Sequence, residues 1–320
     1  MSAKPSNHTP TATWSAGLTG YFDHLQARRA SASTIRTRRY DLQNLRAHLG
    51  AEETDAIEVS LDDLRQYQLG LLTGDASRRG RPLSAGSVAR LTATLRHFFA
   101  FLAAEGHVAA DPAARLERPR VPQRLPGAVL SVPEVKRLLG AAEPSPRGLR
   151  DRAMVEVFYA TGVRRAELRN LDLCDLDHAE RTLLVRAGKG EKDRLLPLTR
   201  SCYAGLTDYL RRGRPELMTR HPDSTRAVFL SARGQRLSSM ALADSLTKLG
   251  RAAGINKRLT PHTLRRSCAT ALLKNGVSLR HIQLLLGHAD LSITSVYLRL
   301  DPSDLRRELL LRHPRERFEA

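Results

Sequence analysis

The carboxyl-terminal third of the chain carries residue types that could hold an anion and attack it. His262 and Arg265 are followed by His288, at the end of a Leu-Gly-His motif, and then by Tyr297. Histidine and arginine side chains donate hydrogen bonds to oxyanions, and a phenol oxygen can act as a nucleophile. These four residues, in this order, predict an anion-binding site with a possible nucleophile.

A second cationic group lies closer to the amino terminus. Arg164 and Glu167 fall in a Gly-x-Arg-x-x-Glu-Leu motif at residues 162–168, and Lys189 lies in the charged segment 188–194. The complete set, in chain order, is Arg, Lys, His-x-x-Arg, His and Tyr. This order and spacing closely resemble those of the tyrosine recombinases, also called the phage integrase family, and the resemblance covers nearly the whole chain. Each motif is weak alone, but four motifs in the family's order are a strong signal.

The resemblance implies that Tyr297 is a nucleophile that forms a covalent bond to a DNA phosphate, because it stands nine residues after His288 as in the family. A covalent intermediate retains the energy of the phosphodiester bond, so the strand can be rebuilt without an external energy source. An unperturbed tyrosine has a pKa of about 10. Attack near neutral pH therefore requires an adjacent base or strong cationic stabilisation.

The other family positions would supply that cationic environment. Arg164 and Arg265 match the two catalytic arginines, whose forked donors would bind the two non-bridging phosphate oxygens. His262 precedes Arg265 by three residues, so on one helix face both could reach the same phosphate, with His262 as general base or donor. The family assigns the remaining roles: His288 gives a further hydrogen bond, Lys189 protonates the leaving 5′ oxygen with Lys192 as a close rival, and Glu167 orients its neighbours.

Plainer interpretations exist for several of these residues. Tyr297 could be an ordinary half-buried helix tyrosine, His262 a surface residue at a helix start, and His288 a residue that merely follows a turn. Arg165 and Arg266, beside the two family arginines, are expected in structural salt bridges rather than in catalysis.

The composition favours a polyanionic partner. The 320 residues include 52 Lys and Arg against 33 Asp and Glu, which gives a formal net charge of +19. Because the arginines are spread over both halves, both halves are expected to contact that partner. Three widely spaced cysteines indicate neither a disulfide framework nor a zinc site, and we expect no cofactor and no metal. Without a long apolar segment or a secretory signal, a cytoplasmic, nucleoid-associated prokaryotic protein with no membrane contact is expected.

The first part of the chain has the periodicity of a helical unit. Apolar residues recur at helical spacing in four runs, and the last of these is the clearest. Ser33, Ser84 and a capping box from Ser60 to Asp63 mark helix starts. Residues 12–108 are therefore expected to form a four-helix domain, which resembles the SAM-like core-binding domain of the family.

A basic, proline-rich segment follows at residues 109–128 and is expected to be an extended linker. Arginines of the helical unit and of this linker are candidate phosphate contacts, although a solvated helix face carries such residues as well. The candidates are Arg36, Arg38, Arg39, Arg78, Arg79, Arg120 and Arg124.

A second, catalytic domain is expected over residues 129–320, beginning at a capping box at residues 131–134. Two strand-like runs, residues 182–186 and 194–198, flank the charged segment and predict a β-hairpin, and residues 227–230 are a further strand candidate. The expected fold class is therefore mainly α: a four-helix domain followed by a mixed α/β, mostly helical domain with a small sheet.

A short helix at residues 302–312 is expected to end the catalytic domain, and it cannot bury its leucines alone. It resembles the tail of the Xer branch of the family, whose final helix docks into a neighbouring subunit. Packing of this helix onto its own domain is the alternative.

The resemblance as a whole implies a site-specific tyrosine recombinase. Such an enzyme cuts and rejoins double-stranded DNA at a specific site through a 3′-phosphotyrosine linkage and a Holliday junction, in dimer resolution or in integration and excision of a mobile element. The implied partners are two DNA duplexes, a homo-tetramer or a hetero-tetramer with a paralogue, and accessory DNA-bending or regulatory proteins. Two alternatives stay open: a catalytically inactive DNA-binding or architectural relative, and a type IB topoisomerase.

Overall fold

The computed structural model describes residues 12–53, 55, 57–122, 128–186, 193–218, 226–287, 306 and 309–317. By its internal contacts the chain divides into two units, Met1–Leu125 and Pro126–Ala320. Across the stretches just given, no helix is both long enough and apolar enough to cross a membrane.

The described part of the first unit contains four helices, as the apolar periodicity predicts. They are α1 (Trp14–Ala27), α2 (Ala32–His48), α3 (Leu61–Thr73) and α4 (Ala85–Ala104). The predicted capping box at Ser60 and the cap at Ser84 are both present. The predicted start of α2 at Ser33 is wrong, because the hydroxyl of Ser31 is the group that accepts the Thr34 backbone N–H.

Aromatic side chains of α1 and α4 fill the core of the first unit. The Trp14 and Phe98 rings stack with centroids 6.1 Å apart, and Tyr21 meets Phe98 edge-on at 5.2 Å. Every residue of the apolar stripe on α4 is buried: Val88, Leu91, Leu95, Phe98, Phe99 and Leu102. These residues belong to one cluster of buried side chains, so the unit has a hydrophobic core of its own. Burying each side chain of this size contributes roughly 1.5–3 kcal/mol to stability.

The beginning of the proline-rich segment packs onto the first unit. Ala113 and Leu116 are buried in its core, and Gln68 Nε2 donates to the Glu117 carbonyl at 2.9 Å. This part of the expected linker is therefore held against the first unit by burial and a hydrogen bond.

The second unit is also mostly helical, and its central helix is α6, which is buried from Ala153 to Thr161 and packs against α8 and α11. The predicted capping box at residues 131–134 opens α5. The described helices are α5 (Val132–Gly140), α6 (Pro146–Thr161), α7 (Arg165–Asn170), α8 (Arg200–Asp208), α9 (Arg214–Met218), α10 (Ser239–Ala252), α11 (Pro261–Lys274) and α12 (Leu279–Leu286).

A three-stranded antiparallel sheet interrupts these helices in the order β1 (Leu176–Asp177), β2 (Thr182–Val185) and β3 (Arg194–Pro197). β2 and β3 form the predicted hairpin, with Val185 opposite Arg194. β1 has only two residues, too few to show an alternating pattern. The strand candidate at residues 227–230 is not a strand, because Ala227 and Leu230 form only isolated bridges.

The described part of the carboxyl-terminal tail packs onto its own unit. Arg306 and residues 309–312 are helical, and Leu309 is buried in the core. Farther along, the Arg315 guanidinium forms a buried, forked ion pair with Glu156, with Nη2 to Oε1 at 2.6 Å. These contacts correspond to the alternative in which the tail packs onto its own domain.

His313, which is completely buried, adds a pH-dependent contact to this tail. Its Nδ1 accepts the Arg315 backbone N–H at 3.0 Å, and its Nε2 lies 3.1 Å from the Tyr159 carbonyl. An imidazole that accepts at Nδ1 and donates from Nε2 is neutral. Burial lowers the pKa of His313 to about 4, and the hydrogen bond to Tyr159 opposes that shift only in part.

We therefore expect the tail to be destabilised by mild acid. Because the folded pKa is below the unfolded value, the unfolded chain binds more protons between these two values, and stability is lost as the pH falls through this window. His313 should cost about 2 kcal/mol of unfolding free energy between about pH 7.5 and pH 5. The measurement is urea unfolding of wild type and His313→Gln at both pH values, with the exposed His178→Gln as control. Equal pH dependence in wild type and His313→Gln would contradict the assignment.

Candidate active site

Arg164 is held at the corner between α6 and α7. Gly162 caps the carboxyl end of α6, where the φ of 63° favours glycine and an added Cβ would come within 2.5 Å of Leu286 Cδ2. The backbone N–H of Arg164 donates to Glu167 Oε2 at 2.7 Å. Its side chain donates to Glu167 Oε1 through Nη1 and to the Gly287 carbonyl through Nη2, both at 2.7 Å. The guanidinium is therefore fixed through both of its terminal nitrogens.

Arg265 lies on α11 and is buried beside this corner. Its Nη1 donates to the Gly162 carbonyl at 2.6 Å and its Nη2 to the Leu286 carbonyl at 2.7 Å. Burial lowers the pKa of Arg265 to about 10, and the positive charge of Arg164 adds to this shift. The side chain remains cationic at neutral pH, and the partners just named are neutral carbonyls. A bound anion would therefore stabilise it strongly.

Arg194, the first residue of β3, belongs to the same cluster, although it is not among the site residues predicted from the sequence. Its Nη1 and Nη2 donate to Glu167 Oε1 and Oε2 at 3.0 and 2.7 Å. Its Nε donates to the Leu285 carbonyl at 3.3 Å. In the sequence, Arg194 differs from its neighbours only by its position between a charged loop and an apolar strand. Because the loop carries several other charged residues, this position did not distinguish Arg194.

Glu167 is the acceptor at the centre of this cluster. It is buried and accepts from the Arg164 backbone, the Arg164 side chain and both Nη atoms of Arg194. Burial alone would raise the pKa of Glu167, but the hydrogen bonds and charges of Arg194 and Arg164 outweigh it and hold the pKa at about 2. Two guanidiniums, those of Arg164 and Arg194, bond Glu167, and the nearby Arg265 bonds only carbonyls among the described residues. These three arginines and one carboxylate carry an excess of two positive charges.

The carboxyl end of α12 is bound by all three arginines. The carbonyls of Leu285, Leu286 and Gly287 accept from Arg194, Arg265 and Arg164 respectively. Cationic groups at a helix carboxyl terminus are stabilising, since the last carbonyls lack helical partners. Gly287 has a φ of 63°, and an added Cβ would lie 3.0 Å from the Arg194 guanidinium. The chain is thus fixed immediately before position 288.

The remaining predicted site residues divide into two groups. His262 is exposed, one turn before Arg265 on α11, and is open to a ligand. Arg165 and Arg266 are also exposed, and the structural salt bridges expected of them are not found among the described residues. Glu167 pairs with Arg164 and Arg194. Four candidates lie outside the described residues: Lys189, Lys192, His288 and Tyr297.

The candidate phosphate contacts of the first unit differ in how they are held. Arg38 Nη1 donates to the Tyr21 hydroxyl at 2.7 Å, and the Arg39 guanidinium lies 4.1 Å from the centroid of the Phe22 ring. The Arg78 guanidinium lies 5.8 Å from the Tyr40 ring centroid. Aromatic contacts thus orient three of the candidates. Arg36, Arg79 and Arg120 are exposed, and Arg124 lies outside the described residues.

Comparison with known proteins defines the class of this two-unit chain, whose arginine cluster joins α7, α11 and β3. Residues 128–304 match the phage integrase family, and residues 18–106 match its amino-terminal SAM-like domain. The chain belongs to the phage integrase family and is a site-specific tyrosine recombinase by its relatives. It is 40% identical over 307 residues to tyrosine recombinase XerD of Mycobacterium tuberculosis, covering 94% of this chain and 98% of that protein.

Other relatives give the same result. Tyrosine recombinase XerD of Listeria innocua is 38% identical over 287 residues, which covers 89% of this chain and 94% of the relative. Among solved structures, a lambda integrase dimer bound to a COC′ core site has a TM-score of 0.66 at 20% identity, covering 95% of this chain and 81% of that one. XerH bound to difH substrate has a TM-score of 0.64 at 19% identity, covering 95% and 83%. These two structures show that the fold is shared.

Proposed function

We propose that this recombinase cleaves DNA through a 3′-phosphotyrosine intermediate formed by Tyr297 and exchanges strands between two duplexes through a Holliday junction. The observation that carries this proposal is that Arg164 and Arg265 both bond backbone carbonyls at the end of α12, those of Gly287 and Leu286. Two fixed guanidiniums are the groups that stabilise the charge on the two non-bridging oxygens of a phosphate under attack.

The first step forms one bond and breaks another. The Tyr297 phenol loses its proton, its oxygen forms a bond to the scissile phosphorus, and the bond from phosphorus to the 5′ oxygen breaks. The 5′ oxygen gains a proton from Lys189, or from Lys192, and leaves as a hydroxyl. His262, which is exposed on the first turn of α11, accepts or shares the phenol proton, and His288 donates to a phosphate oxygen.

Rejoining reverses these bonds with a 5′ hydroxyl from the second duplex, so no nucleotide cofactor is consumed. The arginine cluster supplies the charge that many phosphoryl-transfer enzymes take from a divalent ion. Glu167 does not react, because its bonds to Arg164 and Arg194 already use both of its oxygens.

The biological role that we propose is recombination at a specific site on double-stranded DNA in a prokaryotic cytoplasm. It would be dimer resolution or integration and excision of a mobile element, by a tetramer of this chain or with a paralogue. Identities of 38–40% to XerD proteins over most of the chain support this role. A solved lambda integrase tetramer bound to a Holliday junction has the same fold, with a TM-score of 0.66 at 20% identity.

The test is to trap the covalent intermediate. Purified protein is incubated with nicked duplexes drawn from the sequence that flanks the gene, because loss of the short strand beyond the nick prevents rejoining. We expect a protein–DNA adduct that survives detergent, with the 3′ phosphate on the peptide that contains Tyr297 by mass spectrometry. Sequencing the trapped DNA would then give the recombination site.

Two outcomes would contradict the proposal. Tight and specific DNA binding without any adduct would indicate an architectural relative. Relaxation of supercoiled DNA with an adduct but without strand exchange between two duplexes would indicate a topoisomerase.

A further inference from the structure

Arg194 and Arg164 use the same carboxylate in different ways. The Arg194 side chain is 13% exposed, and its Nη1 and Nη2 form a fork with the two oxygens of Glu167 while its Nε donates to Leu285. Arg164 has one Nη on Glu167 and the other on the Gly287 carbonyl, and its side chain is 24% exposed. Arg164 therefore has N–H donors available for a ligand, whereas both terminal nitrogens of Arg194 are bonded to the Glu167 carboxylate.

The fork determines how Glu167 can hold Arg164. A carboxylate that is paired bidentately with one arginine can offer only its outer lone pairs to a second. With Arg194 in place, Arg164 donates a single side-chain bond to Oε1 and can reach the Gly287 carbonyl with its other nitrogen. Without Arg194, the lone pairs that its fork occupies become available to the Arg164 side chain, although Oε2 still accepts the Arg164 backbone N–H. A second side-chain bond from Arg164 to Glu167 would draw its guanidinium away from Gly287.

Arg194 also fixes the helix end that precedes position 288. Its Nε bonds the Leu285 carbonyl, and its guanidinium occupies the space where a Cβ on residue 287 would lie. Removing the side chain would leave that carbonyl without this donor and would open a gap against Gly287. Both effects act on the carboxylate and the carbonyls that hold Arg164 and Arg265 in place.

We infer that Arg194 is a positioning residue for DNA cleavage, which acts by holding Glu167 and the carboxyl end of α12 so that Arg164 and Arg265 meet the scissile phosphate. This inference rests on the proposed function, since it assigns Arg164 and Arg265 to the phosphate. It does not require Arg194 to contact DNA.

The test compares Arg194→Gln with Arg186→Gln. Arg186 follows Val185, the residue opposite Arg194, on the other strand of the same hairpin. It pairs with Asp175 at 2.6 Å, and its side chain is 55% exposed. Each variant loses one positive charge, so any general loss of DNA attraction is matched. With saturating protein on the nicked site recovered from the trapping experiment, we expect Arg194→Gln to slow cleavage about a hundredfold, the size associated with misplaced catalytic groups. Arg186→Gln should stay within about threefold of wild type, because Arg186 pairs with Asp175 and not with Glu167, and more than half of its side chain is exposed.

Two further measurements separate positioning from simple misfolding. Arg194→Lys restores the charge but not the fork, so it should remain closer to Arg194→Gln than to wild type. A methylphosphonate at the scissile position removes the charge that Arg164 and Arg265 would stabilise. The defect of Arg194→Gln should therefore shrink at least about tenfold on that substrate.

Several results would overturn the inference. An Arg194→Gln rate like that of wild type would do so, as would an equal defect on phosphate and methylphosphonate substrates. Full rescue by a 5′-bridging phosphorothiolate, whose leaving group needs no proton, would assign Arg194 to the general acid of the hairpin instead. Failure of the wild type to form any adduct would instead count against the proposed function. The two failures are distinguishable, because the inference about Arg194 fails only when the wild type cleaves and Arg194→Gln cleaves equally well.

Discussion

Replacing Tyr297 with phenylalanine should abolish the covalent protein–DNA product while DNA binding stays unchanged. The substitution removes only the phenol oxygen, which the proposed mechanism uses as the attacking atom, and no other side chain can form the same 3′ linkage from that position. The measurement is adduct formation on the nicked recombination site, followed by denaturing electrophoresis, with the dissociation constant from a mobility-shift assay.

Tyr40→Phe is the matched control for Tyr297→Phe. Tyr40 lies on α2 of the first unit and is 50% exposed, so its variant loses the same hydroxyl at little structural cost. We expect Tyr40→Phe to give adduct at the wild-type rate. An adduct of undiminished yield in Tyr297→Phe would show that Tyr297 is not the nucleophile.

Replacing Arg265 with glutamine should slow cleavage by about a thousandfold, or roughly 4 kcal/mol of transition-state stabilisation. The reason is its environment: the guanidinium is buried and bonded to the carbonyls of Gly162 and Leu286, where a charge–charge contact with phosphate is weakly screened. Lysine should not restore the rate, since a single ammonium cannot bond both carbonyls and the phosphate at once. Single-turnover cleavage at saturating protein measures this effect.

Arg266→Gln provides the control for Arg265→Gln. Arg266 is the next residue on α11, it is exposed, and its replacement removes the same charge. We expect a change of less than about threefold in the cleavage rate, because single exposed charges contribute little. Equal losses at the two positions would show that the basic surface of α11, and not the buried guanidinium, controls cleavage. Thermal unfolding of both variants would show whether Arg265→Gln is folded under the assay conditions.

Local patterns explain why much of the fold could be predicted. Helical spacing of apolar residues and the capping boxes at Ser60 and Ser131 depend on neighbours three or four residues away, and the structure confirms them. The β2–β3 hairpin was also predictable, because its two strands are close together in the sequence. The start of α2 was misplaced because Ser31 and Ser33 are both plausible caps by sequence. The 227–230 segment was mistaken for a strand because a buried apolar run is not specific to strands.

The candidate site was predictable in residue types but not in arrangement. The roles of Tyr297, His288 and the hairpin lysines stay predictions from the family's order, since these residues lie outside the described part of the structure. For Arg164 and Arg265, the sequence indicated two phosphate ligands without indicating that each would also be tied to backbone carbonyls.

The amino-acid sequence by itself determined which family this chain belongs to, which helices form, and which residue types are available for phosphate chemistry. These properties depend on the order of residues along the chain and on spacings of a few residues. Only the tertiary structure decided that Arg194 shares Glu167 with Arg164, and that Arg265 bonds a carbonyl 103 residues away. It also decided that the tail is anchored through Glu156 and Arg315, 159 residues apart. Such pairings depend on where burial brings distant backbone and side-chain groups together, and no local pattern records the direction in which a guanidinium will point.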